Sequence, residues 1–319
     1  MKNLSVIIIN AVLLTIIFFS FEYYIYKKEN NPDVPFIHMT DYCSLTTDEI
    51  YKMIKDKGYY GSGNSQGPIQ FRRPVYQNTN LKPVVIFGCS FAWGARLYEH
   101  ETLHFILSQL TGRTVYNRAV SGWGVQHMLY QLKRDDFYND VPEPEFVIFV
   151  YIPNHVSRMY KYNAYCTACD YNYLKYVNSF GKLKEEKRLQ HIPYSGIYNN
   201  IILRKIAEIQ EANFSNTAFS FLEKHFLESK KEMEKHWKNV KFIILDYEAT
   251  DLHFGMKRDI LNEKNIKKLE KDGFIIIKTS QLTDEKLDTG YCLDENDNHP
   301  NAKAWALITP LFAEKLKKL

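Results

Sequence analysis

The chain has 319 residues and a formal net charge of +4, and 24% of its residues are charged. This length is enough for one large domain with appended segments. The small net charge, without a dense stripe of basic residues, argues against nucleic acid as a partner.

The first predicted element is an apolar N-terminal segment. Residues 4–21 carry no charge, and these 18 residues at a rise of about 1.5 Å nearly span the ~30 Å hydrocarbon core of a bilayer. Three tyrosines, Lys27 and Lys28 follow, as in an interfacial anchor. A cleaved signal peptide is the alternative, but its apolar region is usually shorter. We therefore predict a transmembrane signal anchor over 1–28, with the following domain outside the cytoplasm.

Residues 29–82 are polar and rich in turn residues, which predicts a linker followed by a small collar. The chain has five cysteines: Cys43, Cys89, Cys166, Cys169 and Cys292. The Cys166-x-x-Cys169 pair leaves open a local disulfide, half of a metal site or two unrelated thiols. Because no second pair completes a zinc set, we predict no metal.

From residue 83 onward, predicted strands and helices alternate. Apolar, β-branched runs predict strands at 84–87, 114–116, 146–152, 240–245 and 274–277. Helical periodicity predicts helices at 101–110, 125–137, 218–238, 259–271 and 301–316. This alternation favours an α/β domain over 83–319, with a parallel sheet of about five strands covered on both faces. Ligands of such sheets bind at the carboxyl ends of the strands.

Residues 153–217 interrupt the alternation with a segment rich in tyrosine. It directly follows the third predicted strand, on the side where ligands bind. We interpret it as an insertion that forms a cap or a substrate wall. Packing of a large loop by the tyrosines is the alternative.

Ser90 follows Gly88 and Cys89 at the end of the first predicted strand. Small residues before it permit a tight turn, so the serine could be a nucleophile if a histidine reaches it. The other interpretation is a serine that caps the next helix.

Two further positions could stabilise an oxyanion. Gly122 follows the second strand and could present its backbone N–H, and Asn154 follows the third strand with a side-chain amide. Both could instead be ordinary turn residues. His155 is interpreted as a supporting or solvated loop residue.

The base is predicted from Asp297-Asn298-His299-Pro300 near the end of the chain. Pro300 suits the first turn of the last helix, so we expect His299 at a helix start, facing Ser90. Asp297 could hold the imidazole tautomer. A polar loop and a capping carboxylate are the alternatives.

Four blocks together resemble the SGNH (GDSL) hydrolases over residues 83–319. They are Gly88-Cys89-Ser90-Phe91, the stretch from Asn117 to Gly122, Asn154, and Asp297-x-His299-Pro300. The resemblance implies a flavodoxin-like three-layer α/β/α fold. It also implies Ser90 as nucleophile, His299 as base, Asp297 as its partner, and Ser90, Gly122 and Asn154 as the oxyanion hole. The first block looks like that of a bacterial subgroup often associated with cell-surface glycan genes.

The last block departs from the common Asp-x-x-His spacing, because Asn296 stands where that aspartate would be. Some members use Asp-x-His, so Asp297 is the predicted acid and Asp294 the reserve.

The resulting hypothesis is a serine esterase that removes acetyl or short acyl groups from a cell-surface glycan, without a cofactor. The alternatives are an O-acyltransferase on a polysaccharide, a lipid or thioester hydrolase, and a non-catalytic scaffold. The sequence identifies no protein partner.

Overall fold

The computed structural model describes residues 51–52, 71–77, 80–157, 175–179, 182–186, 215–248, 260–294 and 297–319. The predicted signal anchor, most of the linker and collar, most of the tyrosine-rich insertion, and Cys43, Cys166 and Cys169 lie outside these residues. Within the described part, no helix is both long enough and apolar enough to cross a membrane. Cys89 and Cys292 are buried free thiols.

A five-stranded parallel sheet forms the centre of the domain. Its strands are β1 (Val84–Phe87), β2 (Val115–Asn117), β3 (Phe146–Tyr151), β6 (Lys241–Asp246) and β7 (Ile275–Lys278). Their order across the sheet is β2-β1-β3-β6-β7, and each neighbouring pair is parallel. This order is the flavodoxin-like one. The predicted α/β class and the five parallel strands are confirmed.

Two antiparallel hairpins accompany the sheet. One joins β4 (Lys175–Ser179) to β5 (Lys182–Glu186) inside the predicted insertion. The other joins β8 (Cys292–Asp294) to β9 (Asp297–Pro300), just before the last helix.

Helices cover both faces of the sheet. The described helices are α1 (Ser90–Trp93), α2 (Leu103–Thr111), α3 (Val125–Leu132), α4 (Asp135–Asp140), α5 (Asn154–Ser157), α6 (Ser215–His236), α7 (Glu263–Lys271) and α8 (Ala302–Lys317). Side chains of a strand alternate between faces. Val84 and Ile86 therefore pack in a cluster with α2 and α8, whereas Val85 and Phe87 pack with α3, α6 and α7. The result is three layers, α/β/α.

The structure corrects several predicted bounds. The helix predicted over 125–137 is two helices, because Arg134 has an extended backbone between α3 and α4. Asp135 and Asp136 lie in the first turn of α4, where acidic side chains favour a helix start. Other ends differ from the prediction by at most four residues, as fraying termini do.

Candidate active site

The turn after β1 places Ser90 at the carboxyl edge of the sheet. Gly88 has a φ of +149°, and a Cβ there would lie 2.9 Å from Ala92 Cβ and 3.1 Å from the Val150 carbonyl oxygen. Only glycine therefore lets the chain turn this tightly. Cys89 occupies the cap position of α1, and Ser90 is the first helical residue, so the interpretation of Ser90 as a helix cap is wrong.

Ser90 and His299 are in direct contact. Ser90 Oγ lies 2.7 Å from His299 Nε2. On the other side of the ring, His299 Nδ1 makes a short hydrogen bond with Asp297 Oδ1. A carboxylate only accepts, so Nδ1 carries the proton and Nε2 can accept from the serine hydroxyl. Three residues from two distant parts of the chain thus form one continuous hydrogen-bonded row.

The position of His299 in the fold differs from the prediction. It lies on β9 of a hairpin and not at the start of a helix. The last helix begins later because the Asn301 side chain accepts the backbone N–H of Ala304 and caps it. Pro300 is opposite Cys292 in the hairpin, so the proline ends a strand here. The hairpin explains how residues two apart, Asp297 and His299, lie on the same face.

Asp297, and not the reserve Asp294, accepts the hydrogen bond from the imidazole. Its other oxygen, Oδ2, lies 3.0 Å from Arg96 Nη1, and the same nitrogen lies 3.3 Å from Asp294 Oδ2. Burial by itself would raise the pKa of the Asp297 carboxyl. The interactions with His299 and the charge of Arg96 outweigh burial and hold this pKa below the ordinary 3.8. Asp297 is therefore ionised at neutral pH.

The two predicted oxyanion residues follow the two strands that flank β1. Gly122, with a φ of +80°, lies in a turn closed by the Trp123 N–H to the Val120 carbonyl oxygen at 3.0 Å. This turn follows β2, and Asn154 begins α5 directly after β3. Because β2 and β3 flank β1, all three residues share the carboxyl edge. The neighbouring His155 is fully buried, so the interpretation as a solvated loop residue is wrong.

A buried arginine that was not predicted from the sequence supports the turn after β1 (residues 88–94), which we call the nucleophile turn. The Arg72 guanidinium donates to the carbonyl oxygens of Trp93 at 3.1 Å, Gly94 at 2.8 Å and Leu97 at 3.0 Å, and it pairs with Glu99 at 3.0 Å. Its side chain is fully buried. No motif surrounds this residue in the sequence, so no local pattern could have indicated its role.

Asn117 joins the loop after β2 to the same turn. Its side-chain amide donates to the Ala92 carbonyl oxygen at 2.8 Å and accepts the Ala119 N–H at 3.1 Å. The resemblance included Asn117 only as the start of a block. The structure shows that Asn117 holds the loop after β2 against the turn after β1.

No protein-family model matches the chain, and no curated protein matches it either. Several solved structures are similar. A member of the lipolytic protein G-D-S-L family from Veillonella parvula has 10% identity and a TM-score of 0.43 over 74% of this chain and 99% of its own. The esterase EstA from Pseudoalteromonas has 12% identity and a TM-score of 0.43 over 74% and 97%. The acetyl xylan esterase Est2A from Butyrivibrio proteoclasticus has 11% identity and a TM-score of 0.43 over 76% and 66%.

Two of these proteins are named as esterases, and the third as a lipolytic protein of the G-D-S-L family. Their TM-scores lie below 0.5. The functional proposal for this chain therefore depends on the geometry of its own site.

Proposed function

We propose that the protein is a serine esterase of the SGNH (GDSL) type that removes acetyl or other short acyl groups. The observation that carries the proposal is the hydrogen-bonded row from Ser90 through His299 to Asp297 at the carboxyl edge of the sheet. A hydroxyl, an imidazole and a carboxylate in this order are the parts needed for acyl transfer to a serine.

Each residue has one role in this reaction. Ser90 Oγ attacks the ester carbonyl carbon while His299 Nε2 takes its proton, and the imidazole then passes that proton to the leaving alcohol. The Ser90 and Gly122 N–H groups and the Asn154 amide stabilise the oxyanion, each donor being worth about 10²- to 10³-fold in kcat. His299 next activates water, which releases the acyl group from Ser90. Asp297 keeps the imidazole oriented and stabilises its charged form.

The proposed substrate is an acylated glycan at the cell surface. The apolar segment over 4–21 supports an anchored, extracytoplasmic domain, and the many tyrosines of residues 153–217 support a sugar-binding wall. Tyr98, which is 51% exposed, stacks on His100 on the loop that follows the nucleophile turn. An exposed aromatic face with a polar tip suits one side of a sugar ring.

Fluorophosphonate labelling of the full chain in mild detergent tests the proposal. We expect a single adduct on Ser90, identified by peptide mass spectrometry, and loss of labelling in Ser90→Ala and His299→Ala. Release of acetate from an acetylated oligosaccharide then supports hydrolysis, whereas acetylated acceptor sugar would indicate transfer. Folded protein that takes no label and releases no acetate would contradict the esterase and leave the non-catalytic scaffold.

A further inference from the structure

Arg96 has a backbone conformation that its side chain makes unfavourable. Among the described residues it is the single non-glycine residue with a positive φ, 61°. Such conformations are costly for residues with a Cβ and persist where the surrounding structure enforces them. A glycine would adopt this conformation more easily, so the arginine side chain needs a reason to be there.

The backbone that leads to Arg96 is attached to the nucleophile. The N–H groups of Gly94 and Ala95 both donate to the Ser90 carbonyl oxygen at 3.0 Å. The start of the Arg96 loop is thereby fixed relative to Ser90.

The side chain of Arg96 reaches the opposite half of the site. Its Nη1 lies 3.0 Å from Asp297 Oδ2 on β9 and 3.3 Å from Asp294 Oδ2 on β8. Asp297 uses its other oxygen for His299. Arg96 is thus linked to Ser90 through the backbone and to both strands of the β8–β9 hairpin, which carries His299, through its side chain.

We propose that Arg96 is a positioning residue that fixes the β8–β9 hairpin to the nucleophile turn, so that the His299 imidazole stays aligned with Ser90. The inference rests on the proposed function, since it assigns a means of alignment to the same triad. The hairpin needs such a contact because its side chains are not enclosed: those of His299 and Asp297 are 26% and 23% exposed. Arg96 itself is 34% exposed, so its contacts compete with water.

In the part of the chain that the structure describes, several titratable groups face the pair. Arg96 faces Asp297 from the loop after α1, His299 faces it from β9, and the Cys292 thiol lies near it on β8. Asp294 is a second carboxylate that contacts the same Arg96 nitrogen. The imidazole contacts the Ser90 hydroxyl and the ring of Phe91, whose centroid is 5.0 Å away. Removing Arg96 therefore takes the cation away from both carboxylates, Asp294 and Asp297, of which Asp297 contacts the imidazole.

The decisive variant is Arg96→Gly, which accepts the positive φ while removing the side chain. We expect kcat to fall about tenfold to a hundredfold with little change in KM, as a misaligned catalytic group causes. The acid limb of the kcat/KM profile should move to higher pH, because protonation of the site becomes easier without the cation. Arg96→Lys should restore part of kcat, and added methylguanidinium should restore part of it in Arg96→Gly.

Arg113→Gln is the matched control, because Arg113 pairs with Glu145 at 2.6 Å at the amino ends of the strands, away from the site. It should leave kcat and the pH profile unchanged. Ser90→Ala separates the two proposals. If Ser90→Ala is inactive while Arg96→Gly keeps the kcat and pH profile of the original protein, the role of Arg96 is wrong and the esterase stands. If Ser90→Ala stays active, the proposed function fails and the positioning role fails with it.

Should Arg96→Gly not fold, two milder variants provide the test. Asp294→Asn removes the carboxylate that competes with Asp297 for Arg96, so the acid limb of the kcat/KM profile should move to lower pH. In Arg96→Lys the lysine replaces the arginine only in part, so the acid limb should move to higher pH. An unchanged profile in both variants would overturn the inference.

Discussion

The nucleophile turn and the β8–β9 hairpin meet at the hydrogen bond between Ser90 and His299, but they are held in different ways. Ser90 is 8% exposed, and the turn around it is fixed from below by the buried Arg72 and Asn117. The hairpin lies at the surface, with its catalytic side chains about a quarter exposed and Arg96 as its polar link to the turn. Buried contacts thus stabilise the turn, whereas alignment of the base depends on a few exposed contacts.

Asp297→Asn should have the largest effect, and mainly on activity. An amide at this position can donate to Nδ1 and favour the wrong tautomer, so kcat should fall about 10³- to 10⁴-fold while the protein stays folded. Steady-state kinetics with an acetyl ester measures the loss. The matched variant Asp294→Asn, which alters the neighbouring carboxylate, should lose less than about tenfold because its ion pair is exposed. Equal losses in both variants would contradict Asp297 as the acid.

Arg72→Met should affect stability instead. The change removes the cation from a fully buried position and leaves the Trp93, Gly94 and Leu97 carbonyl oxygens without this donor. The free energy of unfolding should fall by about 3–5 kcal/mol. Urea unfolding measures it, and Lys82→Met, which breaks the exposed ion pair with Glu143, should cost less than about 1 kcal/mol. A small effect of Arg72→Met would show that the turn does not depend on its buried arginine.

Gly88→Ala tests the close packing of Gly88 against Ala92 and Val150, next to the nucleophile. The new methyl would combine a positive φ with contacts of 2.9 Å and 3.1 Å, so we expect a loss of about 2–4 kcal/mol in unfolding free energy. Gly112→Ala is the control, since Gly112 has a φ of +67° and nothing within 4 Å of a Cβ. It should cost about 1 kcal/mol, from backbone strain alone. Similar losses in the two variants would mean that steric crowding at Gly88 adds no cost.

The smallest expected effect is a pH dependence of stability that comes from Asp297 in the β8–β9 hairpin. Because the fold holds the pKa of Asp297 below 3.8, its ionised form stabilises the folded protein at neutral pH, and this contribution is lost as the pH falls below that value. The difference in urea midpoint between the original protein and Asp297→Asn should therefore shrink from pH 6 to pH 3. A difference that does not change with pH would mean that the folded state leaves this pKa unaltered.

The sequence predicted the sheet well because its signal is local. The apolar runs at β1 and β3 need no long-range information, and alternation with helices indicates parallel pairing. It predicted which residues meet at the site, since Ser90, His299 and Asp297 are in contact as the resemblance implied. It failed for the hairpin, because Asp297–Pro300 has no strand-like pattern and Pro300 looked like a helix start.

The roles of Arg72 and Arg96 could not be predicted from the sequence for a related reason. Arg72 acts on carbonyl oxygens more than 20 positions away, and Arg96 acts on carboxylates about 200 positions away. Neither residue type nor spacing reveals such contacts. A positive φ at Arg96 is equally invisible, because sequence rules assign that region to glycine and asparagine.

One contact made by the predicted linker and collar (29–82) matters beyond the active site. Val75 and Val115 exchange backbone hydrogen bonds of 3.1 Å in an antiparallel bridge, so residues 71–77 cover the outer side of β2. An uncovered strand edge is a template for pairing between chains. A fragment cut at residue 83, where the sequence suggests that the domain begins, would lose this cover together with Arg72. We expect such a fragment to associate edge to edge more readily than the full chain does.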